Sequence, residues 1–149
     1  REQEALNAAP TNLCALRDFS AENRGLRVWG ARVITSNSQY RYISAVRLMF
    51  FLQESIEIGL QYVVFEPNAP ALWARVTSTV RNFLTDVWRD GALQGRTPEQ
   101  GFYVQCDEST MTQSDIDNGR LIVLIGVAPV FPAEFVILRF ALDTARVRS

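Results

Sequence analysis

Few side chains in this 149-residue sequence could do chemistry. It contains no His and no Lys. The usual general base, the triad partner and the nitrogen metal ligand are therefore missing, and Ser-His-Asp and Cys-His mechanisms are excluded within this chain. No Lys also means no Walker lysine and no Schiff base, and no G-x-G-x-x-G run is present. Zinc would find only Cys14 and Cys106 as thiolate ligands. The segment Asp115-Ile116-Asp117-Asn118-Gly119 has the opening letters of a calcium loop. Its glycine comes one position early, however, and the closing position is Gly126 instead of Glu. It reads as a turn. Glu54 and Glu57, three apart, could share a helix face as an acid/base pair, but such a pair is ordinarily a solvated stripe. Trp29, Trp73 and Trp88 could form a stacking platform, but core packing is the simpler reading for all three. The expectation is no catalytic residue, no metal, no cofactor and no enzyme. An enzyme of unknown class and a monomeric α/β binding module are the alternatives.

The bulk composition agrees with an ordinary folded domain. Hydrophobic residues make up 48% and charged residues 21%, and a chain of this length buries about two thirds of its unfolded surface in one core. All 15 cations are Arg, scattered among 16 carboxylates for a net charge of −1. A nucleic-acid surface would show a basic stripe, so no nucleic-acid partner is expected. Apolar runs such as residues 121–130 are broken by Gly and Pro and fall short of the roughly 20 residues of a membrane helix, so no membrane insertion is expected. Cys14 and Cys106 are too few for a disulfide framework and read as reduced, buried and inert. Residues 1–4 lack the pattern of a secretory signal and start at Arg1, so the chain reads as a fragment of a longer protein.

Periodicity supplies the elements. Residues 1–10 read as a helix end or linker stopped by Pro10. Strands are expected at 11–19 and 26–35, separated by the turn residues Asn23 and Gly25. A helix is expected over 42–58, with Gly59 at its end, and a short strand over 61–65. Glu66, Pro67 and Asn68 supply a turn and an N-cap for the clearest helix, 69–90, whose Leu72, Val76, Val80, Phe83, Leu84 and Val87 form one apolar stripe. Strands at 102–106, 121–127 and 135–140 and a single helical turn at 112–117 complete the reading. The fold class is α/β (α+β), a mixed β-sheet packed against two long helices as one domain over 1–149.

The segment Gly25-Leu26-Arg27-Val28-Trp29-Gly30-Ala31-Arg32 resembles the "G-I-R-V-W-G-A-R-T" signature of contractile tail sheath proteins. Val33 departs from its final Thr, keeping the β-branch and losing a hydroxyl. Further matches follow in the family's order: Arg41-Tyr42-Ile43, Phe51 with Glu54, Val64-Phe65-Glu66-Pro67-Asn68, and Leu72-Trp73. Asn82-Phe83-Leu84, Trp88-Arg89-Asp90-Gly91-Ala92-Leu93-Gln94-Gly95, Gly119-Arg120-Leu121-Ile122 and Pro132-Ala133-Glu134-Phe135 continue the series. The chain is thereby similar to the C-terminal domain of a sheath protein of a phage tail, a tailocin or an extracellular contractile injection system.

The resemblance implies a structural subunit that assembles in the cell where it is made and becomes part of a virion tail or released injection particle. Such a subunit polymerises with other copies around an inner tube protein, meets baseplate and tail terminator proteins, and contracts to drive the tube through a target envelope. It also implies strand exchange between neighbours. The residues fit that at 134–149, expected to be a linking arm: Glu134, Phe135, Val136, Ile137, Leu138, Arg139 and Phe140 follow Pro129 and Pro132, and residues 135–138 are apolar on both faces. The alternative is the domain's own central strand. Arg75, Arg81, Asp86 and Arg89 are the tube-facing candidates on the long helix, the alternative being ordinary solvated surface.

Overall fold

The computed structural model describes residues 12–132. Its organising element is a helix at Pro70–Arg89 (the second helix, α2), preceded by α1 at Ile43–Gly59. The apolar stripe explains α2: Leu72, Trp73, Val76, Val80, Leu84 and Val87 all fall on one face and all are buried. Pro70 starts the helix where its missing N–H costs nothing. Gly91 ends it, its φ of 80° lying where a side chain would strain, with Gly91 N–H donating to Trp88 and Ala92 N–H to Val87. The expected N-cap does not form. Asn68 spends its side chain elsewhere, accepting from Trp73 Nε1 at 2.7 Å and donating to the carbonyl of Arg120 at 3.0 Å. It clasps the start of α2 to a distant loop, and Ala69 occupies the cap without a side-chain bond.

Strand β3 (Phe102–Gln105) lies on α2 and pairs antiparallel with β4 (Leu124–Val127), Phe102 opposite Val127 and Tyr103 opposite Gly126. Phe102 and Val104 turn inward while Tyr103 and Gln105 turn out, the alternation of a half-covered sheet. Gly126 leaves room for the Tyr103 ring, since a Cβ there would come within 2.0 Å of it. Together α1, α2 and this pair enclose one core, in which Leu52 of α1 meets the α2 stripe, Leu93, Phe102, Val104, Cys106 and Met111. Each such fully buried aliphatic side chain contributes about 1.5–3 kcal/mol. Two short helices, α3 (Pro98–Gly101) and α4 (Gln113–Asp117), flank β3 in sequence. A reciprocal capping box of Thr112 and Asp115 starts α4, in the place where the sequence predicts one helical turn.

Outside this core stands a second pair, β1 (Ala15–Asp18) antiparallel to β2 (Leu26–Trp29). Thus the β-structure among the described residues is two antiparallel pairs, not one mixed sheet. The expected strand 26–35 breaks at Gly30, whose φ of 149° ends the ladder, and only an isolated bridge of Arg32 to Tyr42 continues it. Residues 61–65 are no strand: Gln61–Val63 form a 3-10 turn. The expected strand at 135–140 lies outside the described residues.

Candidate assembly interface

The side chains that could do chemistry among the described residues are mostly engaged within the fold. Cys106 is buried, and that burial, with Asp107 beside it, pushes its thiol above the ordinary value and away from the reactive thiolate. Cys14 is half-buried, unpaired in any disulfide, and donates to the carbonyl of Arg32 at 3.4 Å. Asp107 and Asp115 are held below the usual carboxylate range by Ser109 and Thr112 respectively, hydrogen bonds inside their own turns. Asp117 accepts from Gln113, and Glu54 and Glu57 are solvated on α1. Among the described residues no group of three or more His, Cys, Asp or Glu comes together, and no helix is long and apolar enough to cross a membrane. Trp73 is buried and Trp88 half-buried with its Nε1 donating to Gly95, as core residues should be. Trp29 is the exception: 45% exposed, it leans on Phe19 at 4.9 Å with Arg17 over both rings.

Exposed apolar surface is where the molecule is unusual. On one face of the β1–β2 pair, Leu16 stands opposite Val28 and Asp18 opposite Leu26. Leu16, Val28 and Leu26 are 72%, 65% and 71% exposed. Every residue of β2 is exposed and β1 is little better, so this pair encloses no core of its own apart from Phe19 beneath its turn. A two-stranded ribbon with an uncovered apolar face is marginal in water unless another strand or surface covers it. Residues 26–35 read as a strand in the sequence, but their exposure does not, because an apolar alternation looks the same whether its own chain or another covers it.

The tube-facing candidates all lie on the solvent side of α2, but not as one patch. Arg75 pairs with Glu66 at 3.3 Å and lies over the Tyr62 ring; Arg89 pairs with Asp86 at 3.4 Å. Arg81 stands about 120° around the helix from Arg75, beside Glu99 in a cleft of about 210 Å³ lined also by Thr85, Pro98, Phe102 and Tyr103. The segment expected to exchange between subunits, residues 134–140, lies outside the described residues.

Residues 35–143 match the sequence profile of the phage tail sheath C-terminal domain. The chain belongs to that family. In the solved helical sheath of the anti-feeding prophage in its contracted state, 40% identity accompanies a TM-score of 0.80 over 96% of this chain. The sheath complex of the extracellular contractile injection system PVC, also contracted, gives 36% identity and 0.84 over 97%. A Pseudomonas aeruginosa (strain UCBPP-PA14) protein described as a prophage major tail sheath protein is 27% identical over 110 residues, 74% of this chain and 27% of its own length. Both solved sheath proteins are longer as well: this chain spans 40% of each. The mixed helix-and-sheet fold expected from the sequence is the fold of these sheath domains.

Proposed function

We propose that the protein carrying this tail sheath C-terminal domain is a non-enzymatic structural subunit. It polymerises with copies of itself around an inner tube, joins a baseplate and a tail terminator, and contracts as part of a tail or injection particle assembled in the producing cell. The observation that carries this reading is the uncovered apolar face of β1–β2 on a domain of this family. A neighbour's segment 134–140 completes that ribbon: main-chain bonds extend the ladder, and Phe135, Val136, Ile137 and Leu138 bring apolar side chains to Leu16, Leu26 and Val28. Four such residues, each contributing about 1.5–3 kcal/mol on full burial, offset much of the cost of ordering the arm. A covalent link of this kind lets subunits rotate without separating. The inner tube meets α2 at the paired charges described above, a polar contact suited to release.

Deleting residues 134–149 from the full-length protein tests the linking role. The truncated protein is expected to remain soluble and unfold cooperatively but to form no sleeves in negative-stain images. A molten or insoluble product would assign the segment to the subunit's own core, and normal sleeves would end the proposal. For the tube, charge reversal at Arg75, Arg81, Asp86 and Arg89 should weaken co-assembly most at low salt; unchanged co-assembly would move the tube to another face.

A further inference from the structure

Ahead of α2, the chain makes a turn that its sequence does not favour. Glu66 N–H donates to the carbonyl of Val63 at 3.1 Å, enclosing Val64 at φ −63°, ψ 126° and Phe65 at φ 72°. Those angles place Phe65 where a type II turn ordinarily requires glycine. A bulky residue in this left-handed region is strained, and such strain persists only where the surroundings enforce it. Here they do. Tyr62 Oη lies 3.3 Å from Thr79 Oγ1, Arg75 lies over the Tyr62 ring, and Glu66 holds Arg75 from the other side. The brace leaves Val64 mostly exposed and Phe65 fully exposed. The turn is tied to α2 by these exposed contacts, with an aromatic ring at its tip and nothing of its own chain against it.

The same helix carries an open cleft with room for such a ring. Some six residues further along, about 9 Å on and about 120° around, Arg81, Thr85, Pro98, Glu99, Phe102 and Tyr103 line a space of about 210 Å³. An apolar cavity of about 150 Å³ is enough to accept benzene. The charges match as well: the knuckle is flanked by Glu66 and Arg75, and the cleft by Arg81 and Glu99.

Resting on the sheath reading, we propose that Phe65 of one subunit inserts into the Arg81–Phe102 cleft of the next, with Glu66 meeting Arg81 and Arg75 meeting Glu99 across the contact. A one-way insertion of knob into cleft joins two unlike patches, so the contact is heterologous and repeats from copy to copy. If this contact holds, Arg75 and Arg81 act between subunits, and the charge-reversal test of the tube contact narrows to Asp86 and Arg89.

The test uses full-length protein carrying Phe65→Cys and Thr85→Cys together, oxidised under assembly conditions and run on a non-reducing gel. A ladder beyond the dimer is expected, with neither single variant passing dimer and the parent unchanged. A double variant that stops at monomer or dimer overturns the contact. In parallel, Phe65→Gly removes the knob and relieves the turn, so its melting temperature should equal or exceed the parent's while its affinity for self-assembly falls about tenfold or more. Assembly at the parental level would overturn the contact. Parental sleeves without a ladder would sink this contact and leave the sheath reading standing; a ladder without sleeves would do the reverse.

Discussion

The two antiparallel pairs of this domain are built from similar residues and live in opposite surroundings. In β3–β4 the inward residues Phe102 and Val104 are buried against the α2 stripe, and only Tyr103 and Gln105 of β3 face water. In β1–β2 the equivalent apolar face of Leu16, Leu26 and Val28 meets water, and the one buried residue is Phe19, cradled by Trp29 and Arg17. The first pair belongs to its own subunit's core. On the proposed reading, the second is half of an interface, and its apolar side chains stabilise an assembly and not a monomer.

That contrast can be broken most sharply by truncation on each side. Leu84 is fully enclosed, so Leu84→Ala should cost about 2–5 kcal/mol in denaturant unfolding of the domain. Leu16→Ser and Val28→Ser together, on the exposed face, should each change domain stability by less than about 0.5 kcal/mol yet abolish sleeve formation by the full-length protein. A large loss of domain stability from the exposed pair would place that face in the subunit's own core.

The division was only partly legible in the sequence. Both long helices were, α2 through its buried stripe and α1 through apolar spacing of which the fold buries only Ala45 and Leu52; one helical turn was expected at 112–117, but not the Thr112–Asp115 capping box that starts it. The run at 61–65 misled because a short apolar segment has the same composition in a strand and in a braced turn. Phe65 could not be foreseen at a left-handed position where glycine is the usual choice. Nor could the role of Asn68, whose partners Trp73 and the Arg120 carbonyl are joined to it only by the fold. The four tube-facing candidates lie on the solvent side of α2, but their separate surroundings depend on Tyr62, Glu66 and Glu99 from other segments, which spacing along the helix does not reveal.

A smaller effect probes the rim of the core. Thr112→Ala removes one arm of the capping box and should lower domain stability by about 1 kcal/mol in chemical denaturation. No change would mean that α4 is held by Ile116 packing alone.

Smaller still is the response to acid. Asp107 and Asp115 are held below their ordinary value of 3.8, first by the Ser109 and Thr112 side chains. A lowered folded value means that the unfolded chain binds the proton more readily, so the contribution to stability is full above about pH 4 and is lost as pH falls through the lowered values. Replacing both by Asn should flatten stability against pH below 4; an unchanged acid slope would assign it to other carboxylates.

Hydrogen exchange of the full-length protein before and after assembly reads the central contrast directly. Amides of Phe102–Gln105 and of α2 should be strongly protected in both states, whereas those of Ala15–Asp18 and Leu26–Trp29 should exchange quickly in the unassembled subunit and slow toward core values in the sleeve. Equal protection of both pairs before assembly, or a ribbon that exchanges as fast in the sleeve as outside it, would contradict the assignment of β1–β2 to the interface between subunits.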